Sequence, residues 1–205
     1  MNLVQYVLLV TLATPLVLNQ HAPQTNQLGL IKQPETVVRR LYHEVVIRHP
    51  LGIPSGANMK IFAPYLSRAL LHRMELRGAC EADFLRQHPR SSLLKGPGPT
   101  EIGLFAGPVD EEAEPQAFHI ERTEAEKNGS FRVDVRLRLG TRPKNPGIWH
   151  VAAIVIREDE HFVVDDVIYL KDQNLDVESR LSEDLSVGCD GPLWVGYGDR
   201  TSGPH

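Results

Sequence analysis

The sequence predicts an α+β fold in which helices come first and antiparallel strands follow. Apolar residues recur every three or four positions between residues 34 and 88, and every second position between 117 and 170. The strands are joined by short turns, which favours sequential antiparallel neighbours over a doubly wound parallel sheet.

Residues 19–33 are polar, hold Pro and Gly, and read as a linker. The first helix opens at Pro34, where the missing N–H costs nothing, with Glu35 near the positive helix end. Val37, Val38, Leu41, Tyr42, Val45 and Val46 form one wide apolar stripe, and Pro50 stops the helix. Ser55 or Asn58 can cap a short second helix. A longer helical stretch is expected from Pro64 to about His88, with Gly78 as a point of bending or division. Residues 90–116 read as loop, and their acidic run from Asp110 to Glu114 as a solvated one.

The period then changes to two. Ala117–Ala125 is a first strand, and Asn128-Gly129 a hairpin turn. Phe131, Val133, Val135, Leu137 and Leu139 alternate with Arg132, Asp134, Arg136 and Arg138, a half-buried strand with a charged outer face. Such an arginine row either engages an acidic partner or is laced into surface ion pairs. Ile148–Arg157 is a third strand, apolar on both faces through its middle, and His161–Leu170 a fourth.

The chain has 205 residues, enough for one domain of about 150 with extensions. Lys plus Arg is 22 and Asp plus Glu is 26, a net charge of −4, which argues against a nucleic-acid footprint. The uncharged run Val7–Leu18 would span roughly 18 Å as a helix, short of a hydrocarbon core of about 30 Å. It reads as part of a signal peptide over residues 1–22, leaving no stable membrane span after processing. No Lys or Arg precedes the run, and Ala22 is the nearest candidate cleavage residue; the alternative is an N-terminal helix of the mature fold. Export to a periplasmic or extracellular space gives the two cysteines a role. Cys80 and Cys189 are then expected to pair, tethering a tail over 171–205; otherwise they are two separate buried thiols.

The segments PETVVRRLYHEVV, PYLSRALLHRMELRGACEADF, FRVDVRLRL, IWHVAAIVIRED and HFVVDDVIYL, in that order, resemble the nuclear transport factor 2-like (cystatin-like) superfamily over residues 34–170. The style is that of exported bacterial members of unknown function. The resemblance implies a strongly bent sheet of about four strands wrapped around the helices, a concave side that often holds an apolar pocket, and dimerisation through the outer sheet face in many members. The superfamily contains isomerases and dehydratases as well as non-enzymatic modules, so it does not decide function.

Four residues are candidates for a pocket. Asp165 and Asp166 are adjacent on a strand, so one is expected to face inward, where a carboxylate could act as a base. His150 lies among apolar neighbours beside Trp149, and Tyr42 lies on the buried stripe of the first helix; His119 and Tyr169 are weaker candidates. Each has a plain alternative: a capped helix, an ion pair, or a core side chain. His43-Glu44 begins an H-E-x-x-H pattern, but Ile47 occupies the fifth position and cannot ligate zinc. No phosphate-binding loop, dinucleotide fingerprint or nucleophile elbow is present, and no cofactor is called for. Trp194 and Tyr197 sit in a Gly-rich tail and either pack near Cys189 or form a contact patch. The leading expectation is an exported, non-catalytic domain that binds a small apolar ligand or a protein partner. The alternatives are an isomerase- or lyase-type pocket enzyme, and an inhibitor or immunity-type protein acting through its sheet face.

Overall fold

A computed structural model describes residues 33–89, 103–107, 114–140, 147–171 and 178–197. The leader over 1–22, nearly all of the linker, and the acidic run over 110–112 lie outside the described residues. Helix α1 spans Pro34–Arg48, α2 Gly56–Phe62 and α3 Arg68–Gln87, with a single 3-10 turn at Ala63–Tyr65. Four long strands follow: β1 Pro115–Ala125, β2 Phe131–Leu139, β3 Gly147–Glu158 and β4 His161–Tyr169. They pair antiparallel in sequential order, and a short β5, Ser179–Arg180, extends the sheet beyond β4. The tail adds a four-residue helix α4, Leu181–Asp184, and a hairpin of β6, Cys189–Asp190, with β7, Leu193–Trp194. Helices and an antiparallel sheet thus occupy successive parts of one chain, an α+β arrangement.

The apolar stripe of α1 packs on the sheet. Val37, Val38, Leu41, Tyr42 and Val45 share one core with Val133, Val135 and Leu137 of β2 and with Val151, Ala153 and Val155 of β3. In-register pairs such as Val135 with Val151 and Val133 with Ala153 keep one face of the sheet apolar across the strands. The opposite face carries Arg132, Asp134 and Arg136. There Asp134 accepts from Arg132 Nε at 2.8 Å and from Arg122 Nε at 3.1 Å, and Arg136 pairs with Glu121 at 3.2 Å. The arginine row is therefore largely engaged within its own sheet.

Helix α3 starts later than its apolar period suggests. Leu66 is extended and bridges Val164 of β4 in parallel, and Ser67 N–H donates to the Val164 carbonyl at 2.8 Å. Ser67 then caps the helix, its Oγ accepting from Leu70 N–H at 2.9 Å. The helix runs unbroken through Gly78, which faces open space and has no packing reason to bend.

Residues 103–107 (Gly-Leu-Phe-Ala-Gly) form a turn within the expected loop, but a buried one. Leu104, Phe105 and Ala106 are fully buried in the main core. Gly107 closes this segment at φ 93°, and a Cβ added there would lie 2.8 Å from Nε1 of the buried Trp149. Gly107→Ala therefore combines backbone strain with overpacking. It is expected to cost about 2–3 kcal/mol in urea unfolding; a change under about 0.5 kcal/mol, the size of an ordinary surface effect, would remove this role.

The tail is fixed to α3. The Cys80 and Cys189 sulfurs stand at bonding distance, 2.06 Å, with Cα atoms 6.0 Å apart. Trp194 packs edge-on against Phe84, with ring centroids 5.2 Å apart, and its backbone N–H donates to Asp83 at 2.8 Å. That N–H, with Gln87 and the neighbouring Arg86, holds the Asp83 carboxyl below its usual range. The folded state thus binds this proton less readily than the unfolded chain. The stabilisation is complete above the ordinary value of about pH 3.9 and fades as pH falls through the lower folded one. Acid titration followed by Trp194 fluorescence in a Trp149→Phe background is expected to show the tail loosening in that window; Asp83→Asn should abolish the transition.

Candidate binding site

The interior between α1 and the sheet is where a pocket is expected. Tyr42 enters it from α1, fully buried, and its hydroxyl donates to the Phe105 carbonyl at 2.9 Å. Tyr169 enters from β4, also buried, and donates to the Leu104 carbonyl at 2.6 Å. Phe105 in turn lies against Phe62, with ring centroids 5.4 Å apart. Residues 103–107 are thus held as a plug by two tyrosine hydroxyls from opposite walls. Each hydroxyl also satisfies a buried carbonyl that would otherwise be left unpaired, at a cost of about 1–3 kcal/mol. Burial pushes both phenols well above their ordinary pKa, and for Tyr169 the charges of Asp184 and Asp166 add to the effect. Both therefore stay protonated hydrogen-bond donors near neutrality.

The other candidates do not join Tyr42 in this interior. His150 sits opposite Arg136, between the core-facing Trp149 and Val151, so strand alternation places it on the far face of the sheet. His119 stands on the same outer face, opposite Arg136 from the β1 side, and is exposed. Asp165 and Asp166 do not follow simple alternation. Asp166 pairs with Ile154 and Val164 with Val155, which leaves Asp165 as the extra residue of a bulge. Asp165 accepts from Ser67 Oγ at 2.6 Å, at the start of α3. Asp166 accepts from Ser182 N–H at 3.0 Å and Ser182 Oγ at 2.7 Å, capping α4, with Arg180 at 3.8 Å. Each carboxylate anchors the start of a helix to the sheet.

What the sequence reading missed is mostly short or buried. The plug is five residues long and has no period, although an apolar triplet between two glycines was a readable sign. Arg77 is a second case. It occupies the middle of the buried α3 face formed by Leu70, Met74, Cys80 and Phe84, and is itself 1% exposed. A charged residue inside an apolar stripe is the sign it leaves in the sequence.

On the surface, α1 borders a groove of about 530 Å³ lined by Arg39, Arg40, His43, Glu44, Tyr65 and Phe118. Among the described residues, no three His, Cys, Asp or Glu side chains are grouped to hold a metal ion. No described helix is long and apolar enough to cross a membrane. Comparison with protein-family models, curated proteins and solved structures finds no match to this chain.

Proposed function

We propose that this chain is an exported, non-catalytic binding domain of the nuclear transport factor 2-like type, with a strongly bent sheet that engages its ligand on the exterior. In this reading residues 1–22 are a leader, 23–33 a linker, 34–170 the domain, and 171–205 an extension stapled back by Cys189. The observation that carries it is the plug. Leu104 and Phe105 occupy the space that a pocket enzyme of this type would keep open, and Tyr42 and Tyr169 spend their hydroxyls holding them there. Asp165 is engaged by the Ser67 hydroxyl and Asp166 by Ser182 at the start of α4, and His150 lies across the sheet from Tyr42. The isomerase or lyase alternative is weakened on each count. The paired cysteines are compatible with an oxidising compartment.

Two measurements test the reading. Expressed with its full N-terminus in a secreting host, the chain is expected outside the cytosol, shortened near Ala22, with thiols that alkylate only after reduction. Two free thiols or an intact N-terminus in the cytosol would overturn export. A polarity-sensitive apolar dye is expected to show no saturable uptake by the native protein. Saturable uptake would restore an open interior and with it the pocket enzyme.

A further inference from the structure

Strand β1 is first in the sheet order and pairs with β2 alone. Among the described residues no strand or isolated bridge meets its other side. Such an edge turns the N–H and C=O of every second residue outward and can take up one more strand. Two bulges interrupt β1, with Gln116 and Glu121 as the extra residues, and they break the flat edge along which sheets aggregate. Between them Ala117, Phe118, His119 and Ile120 stay in register with β2. That is about 13 Å of regular edge, room for a short segment and no more.

Positive charge is gathered on both sides of this stretch. Toward α1 lies the groove of about 530 Å³, where Arg39 and His43 stand exposed one helical turn apart. Glu44, the acid in that groove, is held by Arg48 at 2.7 Å. On the outer sheet face a second depression, of about 200 Å³, is bordered by Ala117, His119, Arg136, Arg138 and Ile148. Phe118 borders both depressions, so the free edge runs between them. Arg136 is paired with Glu121, whereas Arg39 and Arg138 are exposed and make no ion pair among the described residues. The whole chain carries a net charge of −4, so this cationic band is a local feature.

We propose that the free edge of β1 receives a short acidic segment of a partner protein as an added strand. Side chains of an added strand alternate between the two faces of the sheet. Acidic ones on the α1 side would meet Arg39 and His43, and those on the outer side Arg138 and His119. Backbone bonds to the edge supply affinity, and cations on both faces select an acidic segment over a basic one. A second copy of this chain fits less well, because two-fold pairing of the same edge brings each copy's cations to the other's. The proposal rests on the exterior-binding reading and gives the partner its chemistry.

The test is fluorescence anisotropy of the oxidised full chain with the labelled, end-capped peptide Glu-Glu-Val-Glu-Glu. Saturable binding is expected, competed by unlabelled peptide, with none for the Lys counterpart. Arg39→Glu and Arg138→Glu lie at exposed positions outside the core, and circular dichroism confirms the fold of each. Each should weaken binding about tenfold, the size of one charge-assisted hydrogen bond. N-methylation of alternate peptide amides keeps every charge, and one of its two patterns removes the donors that face the edge; that pattern should abolish binding. Absence of saturable binding would overturn the site, and sensitivity to only one of the two arginines would overturn its placement across the edge. Binding indifferent to both methylation patterns would overturn strand addition. A concentration-dependent dimer displaced by the peptide would make a second copy the occupant and overturn the partner. Failure here without dye uptake removes this partner alone, whereas saturable dye uptake removes the exterior reading itself.

Discussion

Removing the Cys80–Cys189 bond is expected to lower the free energy of unfolding by up to about 5 kcal/mol in the chain-entropy account. The two residues are 109 apart, so the cross-link withdraws much freedom from the unfolded chain. In the folded state it holds the tail on a buried face of α3. There Arg77 donates to the Val187 carbonyl and Trp194 packs on Phe84. Without the bond, separation of the tail hydrates Arg77 and exposes Phe84. The double variant Cys80→Ala/Cys189→Ala, compared with wild type in urea, gives the number. Agreement between the variant and the reduced wild-type protein separates the loss of the bond from the loss of two side chains. A shift below about 1 kcal/mol would mean that the tail contributes little to the fold, against the covalent tether's expected size.

Truncating the plug comes next in magnitude. Phe105→Ala is expected to cost about 3–5 kcal/mol, the usual range for deleting a buried aromatic ring. Phe105 is fully buried and lies against Phe62, so the surrounding side chains have little freedom to collapse into the space. The two carbonyls that hold the plug belong to the backbone and survive the substitution. The variant should therefore fold, with a dry apolar cavity in place of the ring. Saturable uptake of an apolar dye by Phe105→Ala, and not by wild type, would locate the vacancy. A cost under about 1 kcal/mol would mean that the ring is not part of the packed core.

The parts of this fold that were legible in the sequence are those that repeat. Strand β2 was readable from Phe131 to Leu139 because strict alternation leaves one register that buries Val133, Val135 and Leu137. The stripe of α1 was readable for the same reason at its own period. Features that depend on one encounter between distant residues were not. Asp165 meets Ser67 across 98 residues, and Tyr42 meets Phe105 across 63. Nothing local to Asp165-Asp166 announces a bulge, so adjacency alone suggested opposite faces. The pairing of Cys80 with Cys189 was legible because only two cysteines exist. The consequence for Arg77, beside that bond, was not.

The Cys80–Cys189 bond also has a topological meaning. It closes the chain into a covalent ring that contains β1 to β5 and α4, while α1, α2 and the first part of α3 hang outside as an open arm. One peptide cleavage anywhere between the two cysteines opens the ring without dividing the molecule, so the fragments separate only after reduction. Ring closure must also wait for residue 189. In synthesis from the N-terminus, every long strand is already available before the knot is tied, and the bond locks in an arrangement that the sheet has had time to reach.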